Sequence, residues 1–246
     1  MLSRAQIKYI RSLTQQKYRK EHSAFLAEGT KLAEEWLRSS VEIKMIIGLE
    51  EWMEKHQALV STHTEAEVII VNDERLRAIS NLQTPNKVLL VVSVPAQTKQ
   101  PSYDRWTLAL DTIQDPGNLG TLIRIADWFG ISQIVCSPGC ADIYNPKVVQ
   151  SAMGGHLRID FFTSELDIWL SQVKIPVVAA TLEGVNLYQC EPLQEAVLLI
   201  GNESRGLESG LVGQASMVVT IPGRGGAESL NAAVSAGIIC SHLIPH

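Results

Sequence analysis

The stretches LLIGNESRGL (198–207) and VVTIPGRGGAESLNAAVSAGI (218–238) each run an apolar strand into a loop that carries glycines. In an open α/β sheet, ligands lie beyond the carboxyl ends of strands, and glycine there lets backbone groups come close. IPVVAATL and AVLLIG, the runs at and before these exits, are almost continuously apolar, as strands covered on both faces are. Neither glycine loop matches the GxGxxG fingerprint after a first strand or the GK[ST] ending of a phosphate loop, which disfavours a nicotinamide or nucleoside-triphosphate cofactor. What remains is a pocket built from late loops, whose backbone amides and carbonyls can bind an adenine and a ribose. Any one of these glycines alone is an ordinary turn residue; the set is not.

Upstream, DPGNLGTLIRIADWFG (115–130) reads as an asparagine-led helix whose body, 118–129, ends at Gly130, where glycine tolerates a left-handed cap. WTLALD (106–111) and QIVCS read as strands. In NPKVVQSAMGG, Asn145 is an N-cap, Pro146 fits the first helical position and Gly154 ends the element. The last helix, ESLNAAVSAGIICSHLI, is rich in small residues and apolar on most sides, so it is deeply buried or part of a subunit interface. The first half alternates in the same way. Helices are predicted around Ile7–Leu13, from Thr30 as a cap, over LEEWMEKHQALV and from Asn72; strands are predicted at 43–48, 67–71 and 87–94. Polar PAQTKQPSYDR separates the halves, giving a domain over 1–95, a linker over 96–105 and a second domain over 106–246. Both are α/β.

Hydrophobic content of 46% with 19% charged residues is that of a soluble globular chain of 246 residues. No apolar run is long enough for a membrane span and the N-terminus has no signal-peptide core, so no membrane partner is expected. Cys136, Cys140, Cys190 and Cys240 form no CxxC pair and read as reduced thiols of a cytoplasmic protein; no metal site is expected. The net charge of −5 argues against nucleic acid at first sight, yet residues 1–20 hold six basic side chains and no acidic one. That arm, with Arg11, Lys17, Arg19 and Lys20, suits phosphate as well as it suits a solvated helix face.

Single residues decide little. Leu119, Leu122, Ile123, Ala126 and Phe129 share one helix face and Arg124 points nearly opposite, the place of a solvated arginine or of a guanidinium gripping phosphate through its planar fork. Glu203 is either a helix-start acid or a site residue. Ser229 and Asn231, in the first turn of the last helix, are capping groups or place a hydroxyl and an amide over the pocket.

In combination these residues resemble the SpoU (TrmH-type) family of RNA ribose 2′-O-methyltransferases. Asn118 and Arg124, then Gly201, Glu203, Gly206 and Leu207, then Ile221, Pro222, Glu228, Ser229, Leu230 and Asn231 match its three signature segments in order and separation, across residues 106–246. RSLTQQKYRKEHSAFLAEGTKLAEE and SNLQTPNKVLLVV resemble the small RNA-binding domain that often precedes it. Ser204 stands where a glycine is common and Gly223 where a methionine is frequent.

The resemblance implies a C-terminal α/β domain of the SPOUT superfamily with a trefoil knot, preceded by a smaller α/β RNA-binding domain. It implies S-adenosyl-L-methionine held by backbone around Gly201, Ile221 and Leu230 with Thr181 and Gly184 nearby, and a homodimer with sites near the subunit interface. The implied activity is methylation of a ribose 2′-hydroxyl in RNA, ribosomal RNA favoured over transfer RNA and DNA not expected. Arg124, Asn118, Glu203, Ser229 and Asn231 are the implied catalytic set; Lys147, Arg158, Arg205 and Arg224 join the N-terminal arm as phosphate contacts. A non-catalytic RNA-binding or ribosome-assembly factor on the same fold is the principal alternative, followed by an ordinary Rossmann-type methyltransferase and a base-methylating knot protein.

Overall fold

Runs of buried Val, Ile and Leu separated by amphipathic helices give two sheets, each with helices packed on it. A computed structural model describes residues 2–245, which divide into two compact units. In chain order the elements are α1 (Arg4–Ser12), α2 (Gln16–His22), β1 (Ala24–Glu28), α3 (Thr30–Arg38), β2 (Ile43–Leu49), α4 (Glu50–Lys55), α5 (Gln57–Val60), β3 (Glu67–Val71), α6 (Asp73–Ile79) and β4 (Val88–Ser93). Then follow β5 (Thr107–Leu110), α7 (Pro116–Trp128), β6 (Gln133–Cys136), α8 (Pro146–Ala152), β7 (Asp160–Thr163), α9 (Leu166–Leu170), β8 (Val177–Asn186), β9 (Val197–Ile200), α10 (Ser209–Val212), β10 (Met217–Thr220) and α11 (Ala232–Leu243).

The first unit comprises Met1–Thr98 and Asp142–Leu157. Its sheet has the order β1-β4-β2-β3, antiparallel except for the parallel β2–β3 pair. Alternating side chains feed two cores. Phe25, Trp36, Trp52 and Leu90 lie on one face, Leu26, Ile47 and Leu89 on the other. The return of Asp142–Leu157 to this unit differs from a single break at 96–105, and burial explains it. Val149 of α8 joins the Phe25 core, and Tyr144 stacks on Phe25 with ring centroids 4.6 Å apart. Arg19 reaches Asp142 Oδ2 through Nε at 2.8 Å and Nη2 at 2.5 Å, and donates from Nη1 to Leu13 O. Composition marks none of this.

Two smaller expectations also change. Gly29, at φ +105°, precedes α3, so Thr30 is its first residue and not its cap; the Thr30 hydroxyl instead donates to Asn86 Oδ1 at 3.2 Å. AFLAE, too short and alanine-rich to announce itself, is β1, buried throughout.

The second unit, Lys99–Ala141 with Arg158–His246, holds a six-stranded sheet of order β10-β8-β9-β5-β6-β7. Every pairing in it is parallel. β5, β6 and β9 are buried at every position, as a sheet covered on both faces requires. The carboxyl ends of β8, β9 and β10 lie side by side at one half of this sheet. The β8–β10 ladder jumps from Ala179↔Val218 to Val185↔Val219, so residues 180–184 loop out of it. Gly184 permits this: a Cβ there would sit 2.6 Å from the Val218 carbonyl oxygen.

Candidate active site

The site begins with a helix cap. Asp115, in extended conformation, accepts at 2.8 Å from the Asn118 backbone N–H, and Pro116 fills the first helical position of α7. The helix is therefore led by aspartate, not by Asn118, whose side chain is left free for other partners. Its Nδ2 donates to Glu203 Oε1 at 2.8 Å, while its Oδ1 accepts from Asn231 Nδ2 at 2.8 Å. Asn231 in turn caps α11, its Oδ1 accepting from Ala233 N at 3.0 Å and Val234 N at 3.3 Å.

Chemistry fixes the polarity of this chain at both ends. Backbone N–H groups only donate, so Asn231 must turn its oxygen to them and its amide nitrogen to Asn118. An ionised carboxylate only accepts, so Asn118 must turn its nitrogen to Glu203. Asn118 is thus tied by two side-chain bonds to two stretches 85 and 113 residues further along the chain. Ser229 is not brought in: it lies exposed in the loop before α11, which starts at Ala232, so it is neither a cap nor bonded to the chain of amides. Arg124, six residues on from Asn118, is exposed and has no hydrogen bond or ion pair among the described residues.

The loop that carries Glu203 is held by a residue the sequence reading passed over. Asn202, 9% exposed, accepts at Oδ1 from Ser204 N at 2.9 Å and Arg205 N at 3.1 Å, and donates from Nδ2 to Thr112 O at 2.8 Å. Asparagine directly after a strand-ending glycine was the available signal, because its side chain mimics a backbone turn. Gly206, at φ +69°, closes the loop by bridging back to Asn202. Gly201 lies beneath that closure, where an added Cβ would meet Gly206 C and Leu207 N at 2.4 Å.

Of the residues expected to hold a cofactor, Gly201, Thr181 and Gly184 belong to the neighbouring exits of β9 and β8, while Ile221 and Leu230 bound the loop between β10 and α11. The Thr181 hydroxyl donates to the Glu183 carbonyl. Residues 221–230 make no backbone–backbone hydrogen bond among the described residues, which leaves their N–H and C=O groups open to a ligand. Leu182 at 71% and Leu230 at 48% expose apolar side chains on the same loops. Unpaired backbone groups beside exposed leucines suit an adenosyl group, whose flat base needs both.

A cleft of about 380 Å³ opens at the ends of β5, β6 and β7, lined by Asp111, Thr112, Gly139, Glu165, Asn202 and Glu208 among others. None of the five expected cofactor residues lines it, but it shares the 202–208 loop with the Asn118–Glu203 contact. Thr112 is held here at φ +54°, its N–H donating to Ser137 Oγ at 2.9 Å and its hydroxyl to Asp111 Oδ1 at 2.6 Å. Nearby, a hydrogen bond from Cys136 brings the Cys140 thiol down to about 7, while the same contact and burial push Cys136 up.

The basic candidates separate cleanly. Arg11, Lys17, Lys20, Lys147 and Arg205 are exposed. Arg19 is corrected: at 3% exposure its guanidinium is consumed by Asp142 and Leu13 O and is not available to phosphate. Arg158 makes a bidentate pair with Asp127, at 2.7 and 2.8 Å. No group of acidic, histidine or cysteine side chains among the described residues is arranged to hold a metal, and no helix is long and apolar enough to cross a membrane.

Known proteins resemble this chain in sequence and in fold. The model of the SpoU rRNA methylase family matches residues 105–241, and that of an MRM3-like substrate binding domain matches residues 4–90. The 23S rRNA (guanosine(2553)-2′-O)-methyltransferase RlmP of Bacillus subtilis (strain 168) is 32% identical over 241 residues, covering 96% of this chain and 95% of the relative. A TrmH-family protein from Porphyromonas gingivalis superposes with a TM-score of 0.87 at 37% identity, over 99% of this chain and 98% of that one. The AdoMet-bound rRNA methyltransferase from Sinorhizobium meliloti does so with a TM-score of 0.84 at 30% identity, over 98% and 94%. The family match spans more than half of the sequence and contains every residue of the Asn118–Glu203–Asn231 chain: this protein belongs to the SpoU rRNA methylase family.

Proposed function

We propose that this protein transfers a methyl group from S-adenosylmethionine to a ribose 2′-hydroxyl of ribosomal RNA. The observation that carries the proposal is the hydrogen-bonded chain Glu203–Asn118–Asn231, which gathers the signature segments beside the exits of β8, β9 and β10. Residues around Gly201, Ile221 and Leu230, with Thr181 and Gly184, would hold the cofactor mainly through backbone. When bound, it supplies an electrophilic methyl group on a sulfonium, with a neutral thioether as leaving group.

A ribose hydroxyl is a poor nucleophile, so the protein must orient its oxygen and stabilise the charge that develops there. Arginine holds its proton far above neutral pH and does not serve as a base. Arg124 therefore grips the phosphate of the target nucleotide and faces the developing alkoxide as a cation, the proton leaving to phosphate or water. Asn118, Glu203 and Asn231 position the ribose and Arg124; Ser229 adds a hydroxyl from the flexible-composition loop PGRGGAES.

Exposed Arg11, Lys17, Lys20 and Lys147 in the first unit, with Arg205 in the second, supply phosphate contacts, so binding falls steeply with salt. A trefoil knot over the β8–β10 exits, a cytoplasmic homodimer joined through the apolar face of α11, and a division of labour between the first unit, with its Asp142–Leu157 segment, and the second complete the proposal. Ribosomal RNA is favoured over transfer RNA by the names of the relatives. Replacing Arg124 with Ala should abolish methyl transfer to ribosomal RNA while leaving cofactor affinity, read by calorimetry, nearly unchanged. Normal turnover in that variant overturns Arg124's role; absence of any methyl transfer by the native protein favours a non-catalytic RNA-binding factor.

A further inference from the structure

Most large apolar side chains in this protein are buried, and among those that are not Trp128 is the most exposed of the described residues. Trp36, Trp52 and Trp169 are at most 2% exposed and Trp106 is half-buried, whereas Trp128 is 82% exposed at the last turn of α7. The opposite face of the helix, Leu119, Leu122, Ile123 and Ala126, is fully buried. The outward face is therefore not core that failed to close.

Its composition is informative. Helical geometry sets Thr121, Arg124 and Trp128 within one outward stripe that begins beside Asn118. At 1.5 Å per residue, Trp128 lies about 6 Å beyond Arg124 along the axis and about 15 Å beyond Asn118. No free acid shares the stripe: Asp115 is spent on the helix cap, and Asp127 is neutralised by its bidentate pair with Arg158. An exposed indole one turn from an unpaired guanidinium complements an unpaired nucleotide, which offers a flat base for stacking and a phosphate for the cation. A spacing of about 6 Å is one to two nucleotides at ~3.4 Å per stacked step. Two copies packed stripe against stripe would set Arg124 against Arg124 with no free acid on either side, which disfavours self-association through this face. None of the other exposed large apolar side chains among the described residues belongs to α7: they lie on β3, β8, α9 and α11, just after α8 and β8, and in the loop before α11.

We propose that Trp128 is a stacking site for an unpaired RNA base adjoining the methylated nucleotide, with Arg124 holding the phosphate between them. This rests on the assignment of the protein as an RNA methyltransferase and adds to it a single-stranded flank, one or two nucleotides from the target, read without sequence preference. Because Trp128 touches nothing that folding requires, its replacement should leave stability unchanged.

The test uses the full chain and a mixed-sequence single-stranded RNA decamer, with the Trp128 emission isolated by subtracting the W128F spectrum. Saturating decamer should quench that component and shield it from acrylamide. W128A should weaken decamer binding roughly 5- to 100-fold with the salt slope unchanged, and W128F should keep most of the affinity. R124A should lower the salt slope by about 1. Emission unaltered by saturating decamer, wild-type affinity in W128A, or Trp128 already shielded in the RNA-free protein by a second copy would each overturn the stacking site. Calorimetry with S-adenosylmethionine on the same samples keeps the two claims apart: uptake with an unresponsive Trp128 sinks only this inference, and no uptake sinks the methyltransferase assignment.

Discussion

Substituting Gly201 with Ala tests whether the Glu203 loop is built by backbone contact. The new methyl would stand 2.4 Å from Gly206 C and Leu207 N and 2.6 Å from Gly206 O. That is roughly 1 Å inside normal carbon contact, and the obstructing atoms are backbone, so no side chain can swing away. The loop must lift as a unit. Lifting it opens the Asn202–Gly206 bridge and draws Glu203 off Asn118 Nδ2, now 2.8 Å away. Overpacking of this kind costs about 1–3 kcal/mol, and the broken amide–carboxylate bond adds about 1 kcal/mol at this exposed position. G201A should therefore lower the urea midpoint of unfolding measurably, lose cofactor uptake by calorimetry and lose methyl transfer. G210A supplies the contrast: nothing lies within 4 Å of a Cβ there, and Gly210 sits inside α10, so this change should be neutral or stabilise by up to about 1 kcal/mol. A G201A protein with native stability and native cofactor affinity would refute the close backbone crossing and the loop assignment built on it.

Three further perturbations probe separate terms. N118D sets a carboxylate against Glu203 and removes the only donor between them; methyl transfer should fall about 10²-fold, and N118D/E203Q, which restores a donor facing an acceptor, should recover most of it. D142A strands the buried Arg19 guanidinium and should cost about 3–5 kcal/mol in urea unfolding, with D142A/R19M markedly less damaging. Burial holds His156 at about 4, below the 6.5 of an unfolded histidine, against the pull of its bond to Ile143 O and of Asp142. The unfolded chain then binds the extra proton first, so this contribution is intact above pH 6.5 and about 3 kcal/mol is lost as pH falls from there to 4. A His156→Gln variant should show a shallower acid limb in thermal melts across that window.

What could be read from the sequence divides along the range of the forces involved. Capping is local: DPGN and ESLN place an acceptor just before free amides, so the ends of α7 and α11 were legible to within a few residues, although Asp115 takes the capping role and frees Asn118. The parallel sheet was legible because β5, β6 and β9 must be apolar on both faces. Charge was the least reliable guide. Arg19 sits among five other basic residues in the first 20 and reads like them, yet it is buried against Asp142, 123 residues away. The same long-range pair helps draw Asp142–Leu157 into the first unit, which no local pattern announces. Asn202 escaped for a like reason: its turn is local, but its bond to Thr112 O spans 90 residues. A pair of signature residues separated by a fixed spacing reports that they are needed together without reporting how. Here the answer is an alternation of donor and acceptor from the α11 amides through Asn231 and Asn118 to Glu203, in which each group has one partner able to satisfy it. The short spacing from cap to amide in α7 and the immediate start of α11 after Asn231 are what leave those two side chains facing one another, so the local rules that make helix ends also set the geometry of the candidate site.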